Sequence, residues 1–195
     1  MQMKRRSFLT LLALGGGANM LAGCAGAVHG RAEAPGPGYR GGGASRLRTV
    51  IFEIAPIGFA FHTGLIIHGP DGHVLYDPAG FWHDPRAPRV DDVSHGLTPE
   101  LERSYLSRDE NWVPTEYWRV HLFDDEVAPD VARLATELSQ ARAPAAFGAC
   151  AWNISAVLQE LPGYEDLNFA LLPEDLLRQL QPRTDLRYSL EQFAA

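Results

Sequence analysis

Of the two cysteines in the 195-residue sequence, Cys150 stands where a thiol can be made reactive. It follows Phe147-Gly148-Ala149 and precedes Ile154, Val157, Leu158 and Leu161, whose spacing predicts a helix ended by Pro162-Gly163. At or just before the first turn of such a helix, backbone amides that lack intrahelical acceptors, and the positive end of the helix dipole, favour the thiolate. A thiolate nucleophile needs a base, and the base needs a group to orient it. His62 is the best candidate base. In a strand over 60–68, His62, Gly64, Ile66 and His68 share one face, while Phe61, Thr63, Leu65 and Ile67 form the more apolar other face. Gly69-Pro70-Asp71-Gly72 is a strong turn signal, and a hairpin symmetrical about Pro70-Asp71 sets Asp77 opposite Gly64 and diagonal to His62. A carboxylate there can accept the second ring N–H of His62 and fix its tautomer. Gly64 leaves room on that face for the backbone of another element. Nucleophile, base and orienter thus occur in the order His, Asp, Cys.

The elements that must position these residues run strands first, helices later. Strands are expected over 49–54, 60–68, 73–77 and 117–123. Thr98 caps a short helix from Pro99 to Leu106. Val131, Leu134, Ala135 and Leu138 recur at helical spacing between Pro129 and Arg142, and Pro173-Glu174-Asp175 opens a last helix through Leu180. The expected fold class is α+β, a small antiparallel sheet packed against helices.

The same residues have plainer readings. Cys150 could be an inert buried thiol, His62 a hydrogen-bonded structural histidine, and Asp77 a turn residue before Pro78. His68, His73, His83 and His95 invite a metal-site reading, but no thiolate or His-x-x-Glu-His pattern accompanies them, and histidines flanking a turn are expected to be solvated. The expectation is therefore no metal and no cofactor. The tryptophans Trp82, Trp112, Trp118 and Trp152 read as core or cleft wall, and Trp152, two residues past the cysteine, could line a substrate groove. Gly-x-Ser-x-Gly is absent, which disfavours a serine hydrolase elbow.

The N-terminus sets the expected compartment. Lys4, Arg5 and Arg6 form a basic region, Phe8 to Leu14 an apolar run too short to span a bilayer, and Leu21-Ala22-Gly23-Cys24 resembles the lipobox of a bacterial lipoprotein signal peptide. Lys4-Arg5-Arg6-Ser7-Phe8-Leu9 also resembles a twin-arginine export signal. The resemblance implies a signal peptide over 1–24, acylation of Cys24, and export to the cell envelope with the membrane as partner through that lipid. Ala25 following the cysteine favours the outer membrane over the inner. Residues 25–45, rich in Gly, Ala and Pro, cannot contribute to a core and read as a tether. The folded domain is expected over 46–195, about 150 residues and of ordinary single-domain size. Removing Lys4, Arg5 and Arg6, with no acid lost, takes the formal net charge from −7 to −10, which disfavours nucleic acid and anionic headgroups as partners. Lys4 is the only lysine, so the mature chain is excluded from Ser-Lys dyads, Schiff-base chemistry and Walker-type phosphate loops.

His62-Thr63-Gly64-Leu65-Ile66-Ile67, the glycine-containing turn, Val74-Leu75-Tyr76-Asp77 and a late cysteine opening a helix resemble the circularly permuted papain-like group, which includes lecithin:retinol acyltransferase and relatives of NlpC-type cell-wall peptidases. The resemblance covers roughly His62 to Leu161. It implies a permuted papain-like fold with His62 as base, Asp77 as orienting residue and Cys150 as nucleophile. Asp77 stands where the acyltransferases carry a second histidine, and Gly148-Ala149-Cys150-Ala151-Trp152-Asn153 copies no one subfamily. The implied activity is a cysteine hydrolase acting on a peptide or amide bond of peptidoglycan. A lipid esterase or acyltransferase, or a non-catalytic scaffolding lipoprotein, are the alternatives.

Overall fold

The computed structural model describes Tyr39 and residues 41–80, 82–107 and 117–193. The expected signal peptide, the twin-arginine motif, Cys24, most of the tether and Trp112 lie outside the described residues. Seven strands form one sheet: β1 (Arg46–Ile54), β2 (Phe59–Gly69), β3 (Gly72–Tyr76), β4 (Arg89–Val90), β5 (Val93–His95), β6 (Trp118–Glu126) and β7 (Arg187–Gln192). Their order is β4-β5-β3-β2-β1-β6-β7, and every neighbouring pair is antiparallel. Four helices are described: α1 (Pro99–Ser107), α2 (Pro129–Arg142), α3 (Cys150–Gln159) and α4 (Pro173–Leu180). The fold is α+β.

The sheet is wider than the sequence suggests. β4 and β5 are two and three residues long, too short to show a period, and β7 is exposed along its whole length, so no apolar alternation marks it. The β2–β3 hairpin has the symmetrical register, with Gly69 opposite Gly72 and Leu65 opposite Tyr76. Helix α1 begins as its sequence dictates, with Thr98 Oγ1 accepting the Leu101 N–H at 3.3 Å and Pro99 at the first helical position.

Both faces of the sheet are covered. Leu47, Ile51, Leu65, Ile67 and Tyr76 pack beneath α2, α3 and α4, whereas Val50, Phe52, Ile66, Leu75 and Val120 meet Leu101, Tyr105 and Leu106 of α1. β2 is therefore buried on its polar-looking face as well as on its apolar one. The charged groups on the α1 side satisfy one another. Arg48 reaches Asp124 with Nε at 2.7 Å and Nη2 at 2.9 Å, and Glu102 with Nη1 at 2.5 Å. Glu102 also accepts from His68 Nε2 at 2.8 Å, and Arg46 Nε donates to His68 Nδ1 at 3.0 Å. That donation fixes the neutral His68 tautomer with its proton on Nε2. Burial opposes ionisation of Asp124 and Glu102, but the hydrogen bonds from Arg48 to Asp124 and from His68 to Glu102 hold both carboxyls below their ordinary values.

His68 corrects the expectation of solvated turn-flanking histidines: it is buried, and its ring lies 4.5 Å from that of His73. Arg46 and Glu102 of α1 hold the two ring nitrogens of His68, and the chain before β1 lies over its neighbour His73 at the hairpin end. Tyr39 O accepts the His73 N–H at 3.1 Å, the Tyr39 ring meets His73 edge-on at 5.1 Å, and Ser45 O accepts from Val127 N at 3.0 Å. A Cβ at Gly41 would stand 2.4 Å from the His73 ring, so the close approach seen here holds only while 41 is a glycine or the ring moves aside. The end of the stretch read as a tether thus lies against the domain. Among the described residues no helix is long and apolar enough to cross a membrane.

Candidate active site

His62 projects from β2 toward α1, opposite Phe52 of β1, at the end of the sheet far from the hairpin. Its Nε2 lies 2.6 Å from Asp77 Oδ1, and both side chains are buried. A carboxylate is an acceptor, so Nε2 carries the proton and donates it, and Nδ1 is the ring nitrogen able to act as a base. The hairpin register extended by one residue sets Asp77 opposite Gly64, which is the diagonal needed for this bond. Asp77 is a turn residue as well, since its carbonyl accepts the Gly80 N–H at 2.9 Å.

Two glycines make room for the carboxylate. A Cβ at Gly80 would stand 1.8 Å from Asp77 Oδ2, so the turn that encloses Asp77 tolerates no side chain there. A Cβ at Gly64 would stand 2.2 Å from the hydroxyl of Tyr105. The space beside His62 is therefore filled first by a tyrosine hydroxyl, while the backbone of another element does come close there, with Tyr76 O of β3 3.3 Å from the same Cβ position. Tyr105 O–H donates to Asp77 Oδ1 at 3.0 Å, the same oxygen that accepts from His62. Sequence reasoning missed Tyr105. It sits four residues after Leu101 on the apolar stripe of α1, where a tyrosine reads as core, and nothing local shows where its hydroxyl is aimed.

Cys150 is the first residue of α3 and is 2% exposed. Ala149, the residue before it, offers no side-chain cap, so no side chain of the N-cap residue competes for the amides of the first turn. Gly148, at φ +74°, turns the chain into the helix in a conformation that favours glycine. α3 packs against β2 on the side opposite α1. β3 pairs with β2 only as far as Leu65, so among the described residues no strand borders Phe59 to Gly64 on that edge. Trp152, half-exposed, stacks on Phe169 with ring centroids 4.4 Å apart and an interplanar angle of 18°. Phe147, Leu171 and Leu172 are exposed as well.

The arrangement offers an oriented histidine, a buried carboxylate and a helix-starting thiol. No group of three or more histidine, cysteine, aspartate or glutamate side chains suited to a metal ion occurs among the described residues. Compared with models of protein families, with curated proteins and with solved structures, the chain matches none.

Proposed function

We propose that the protein is a cysteine hydrolase of the bacterial cell envelope, with a permuted papain-like arrangement, anchored by a lipid on Cys24 and acting on a peptide or amide bond of peptidoglycan. The observation that carries this reading is the buried 2.6 Å bond between His62 Nε2 and Asp77 Oδ1, paired with a cysteine at the first position of a helix packed on the same strand. The open edge of β2 beside His62 is the route by which the thiol would meet Nδ1. His62 then takes the proton from Cys150, and the sulfur attacks the carbonyl carbon. Amides of the first turn of α3 hold the oxyanion. The C–N bond breaks as His62 returns the proton to the departing amine, and a water, deprotonated by His62, cleaves the thioester and releases the acid.

The exposed Phe147, Trp152, Phe169, Leu171 and Leu172 favour one variation, in which the acyl group comes from a lipid ester. The burial of Cys150 favours another, a scaffold of the same fold with an inert thiol. Alkylation by iodoacetamide between pH 5 and 9 separates reactive from inert. A Cys150–His62 pair gives rapid labelling that persists below pH 7 and is lost in His62→Ala, because an ordinary thiol titrates near about 8.5. Equal, slow labelling of both proteins would establish the scaffold instead. Incubation with peptidoglycan fragments and with phospholipid vesicles, using Cys150→Ala as control, then identifies the bond cleaved.

A further inference from the structure

We infer that Asp92 is a positioning residue for the nucleophile, holding the entry of α3 in register with the His62–Asp77 pair. This inference rests on the cysteine-hydrolase reading above. Asp92 lies between β4 and β5, at the end of β3, and is 2% exposed. Its carbonyl accepts the Asp77 N–H at 2.9 Å. Its Oδ2 accepts the Ala145 N–H at 2.6 Å and the Ala79 N–H at 3.4 Å. One residue therefore bonds both to the backbone of the orienting aspartate and to the loop that leads five residues later into Cys150. The loop's other backbone hydrogen bonds are local ones at its helix end, from Ala149 N to Ala146 O and from the backbone and side-chain amides of Asn153 to Ala149 O.

The carboxylate is itself fixed. Arg89 Nη2 pairs with Asp92 Oδ1 at 3.2 Å, while its Nη1 donates to Trp82 O at 2.6 Å and its Nη2 to Gly80 O at 3.2 Å. Arg89 thus binds the turn that encloses Asp77, and Asp92 ties that turn to α3. A buried carboxylate that accepts backbone N–H groups and an arginine is held rigidly, because moving any one partner strands a buried polar group. Segment 143–149 has no charged side chain and opens α3 without a capping side chain, so its own sequence supplies little to fix the sulfur. A displacement of about 1 Å between nucleophile and base is enough to cost about a hundredfold in rate.

The test is the pH dependence of Cys150 alkylation by iodoacetamide in the purified protein, in Asp92→Asn and in Asp92→Ala. Thermal unfolding is recorded for each. Asn keeps an acceptor for Ala145 but loses the pairing with Arg89, so its labelling below pH 7 should fall several-fold, whereas in Ala it should fall by about tenfold or more toward the profile of an ordinary thiol. A merely structural role would lower the melting temperature and leave the profile unmoved. An unchanged profile in Asp92→Asn overturns the inference, and this variant decides the matter even where Asp92→Ala does not fold. An ordinary-thiol profile in the wild type overturns the cysteine-hydrolase reading itself, and this inference with it.

Discussion

Asp77 Oδ1 accepts two hydrogen bonds from two elements, and each can be removed separately. In Tyr105→Phe the carboxylate loses one buried donor, which costs about 1–2 kcal/mol of stability in urea unfolding. It should also raise the basicity of His62, since a carboxylate relieved of one donor holds the imidazolium more firmly. A more basic imidazole holds the thiolate–imidazolium pair more firmly, so the rising limb of the alkylation profile then moves to lower pH. Gly80→Ala acts on the same oxygens by steric means. With Asp77 Oδ2 only 1.8 Å from the new Cβ, the carboxylate must leave its place, and labelling of Cys150 below pH 7 should fall as far as it does in His62→Ala. Retention of that labelling in Gly80→Ala would show that Asp77 is dispensable. The His62–Asp77 relation could be read from sequence because a symmetrical turn and a two-residue period are local rules. The contributions of Tyr105 and Asp92 could not, because each depends on where a distant element lands.

Helix α1 is held to the sheet by polar groups as much as by its apolar stripe. Glu102 accepts from Arg48 on β1 and from His68 on β2, and Arg48 spans to Asp124 on β6. Glu102→Ala would leave Arg48 and His68 short of a partner in a buried setting, a loss of about 3 kcal/mol measurable by urea denaturation. Glu102→Gln, which keeps an acceptor, should cost less. The prediction fails if the two variants are equally stable. In the sequence these residues look like the solvated side of a strand and a helix, since Arg46, Arg48, His68 and Glu102 are polar types. They are shielded because α1 lies over this face of the sheet, and the sequence does not say on which face that helix packs. The boundaries of the hairpin and of α2, α3 and α4 were legible because turn residues and prolines mark them. β4, β5 and β7 were not, being very short or exposed throughout.

At the scale of the molecule, acid stability has two windows. Burial, above all else, pushes His73 down to about 4 from an ordinary 6.5. The unfolded chain therefore binds the proton first, and this contribution to stability declines as pH falls from about 6.5 toward about 4. Asp124 and Glu102 are shifted below their ordinary values, so their contribution is present above the unfolded carboxylate range and is lost as pH falls through the folded values. Urea unfolding between pH 3 and 8 should show both declines, and His73→Gln should flatten only the upper one. A wild-type midpoint constant from pH 7 to 5 would contradict this account.

Tyr39 and Gly41 lie against His73, so the chain joins the domain at the hairpin end of β2, whereas His62 lies seven residues back along the same strand, roughly 23 Å away at about 3.3 Å per residue. With an anchor at Cys24, as proposed, the domain would hang from one pole and work from the other. Its catalytic pole would look outward from the bilayer that holds it, so a substrate in the wall beyond that surface is nearer to hand than an ester within it.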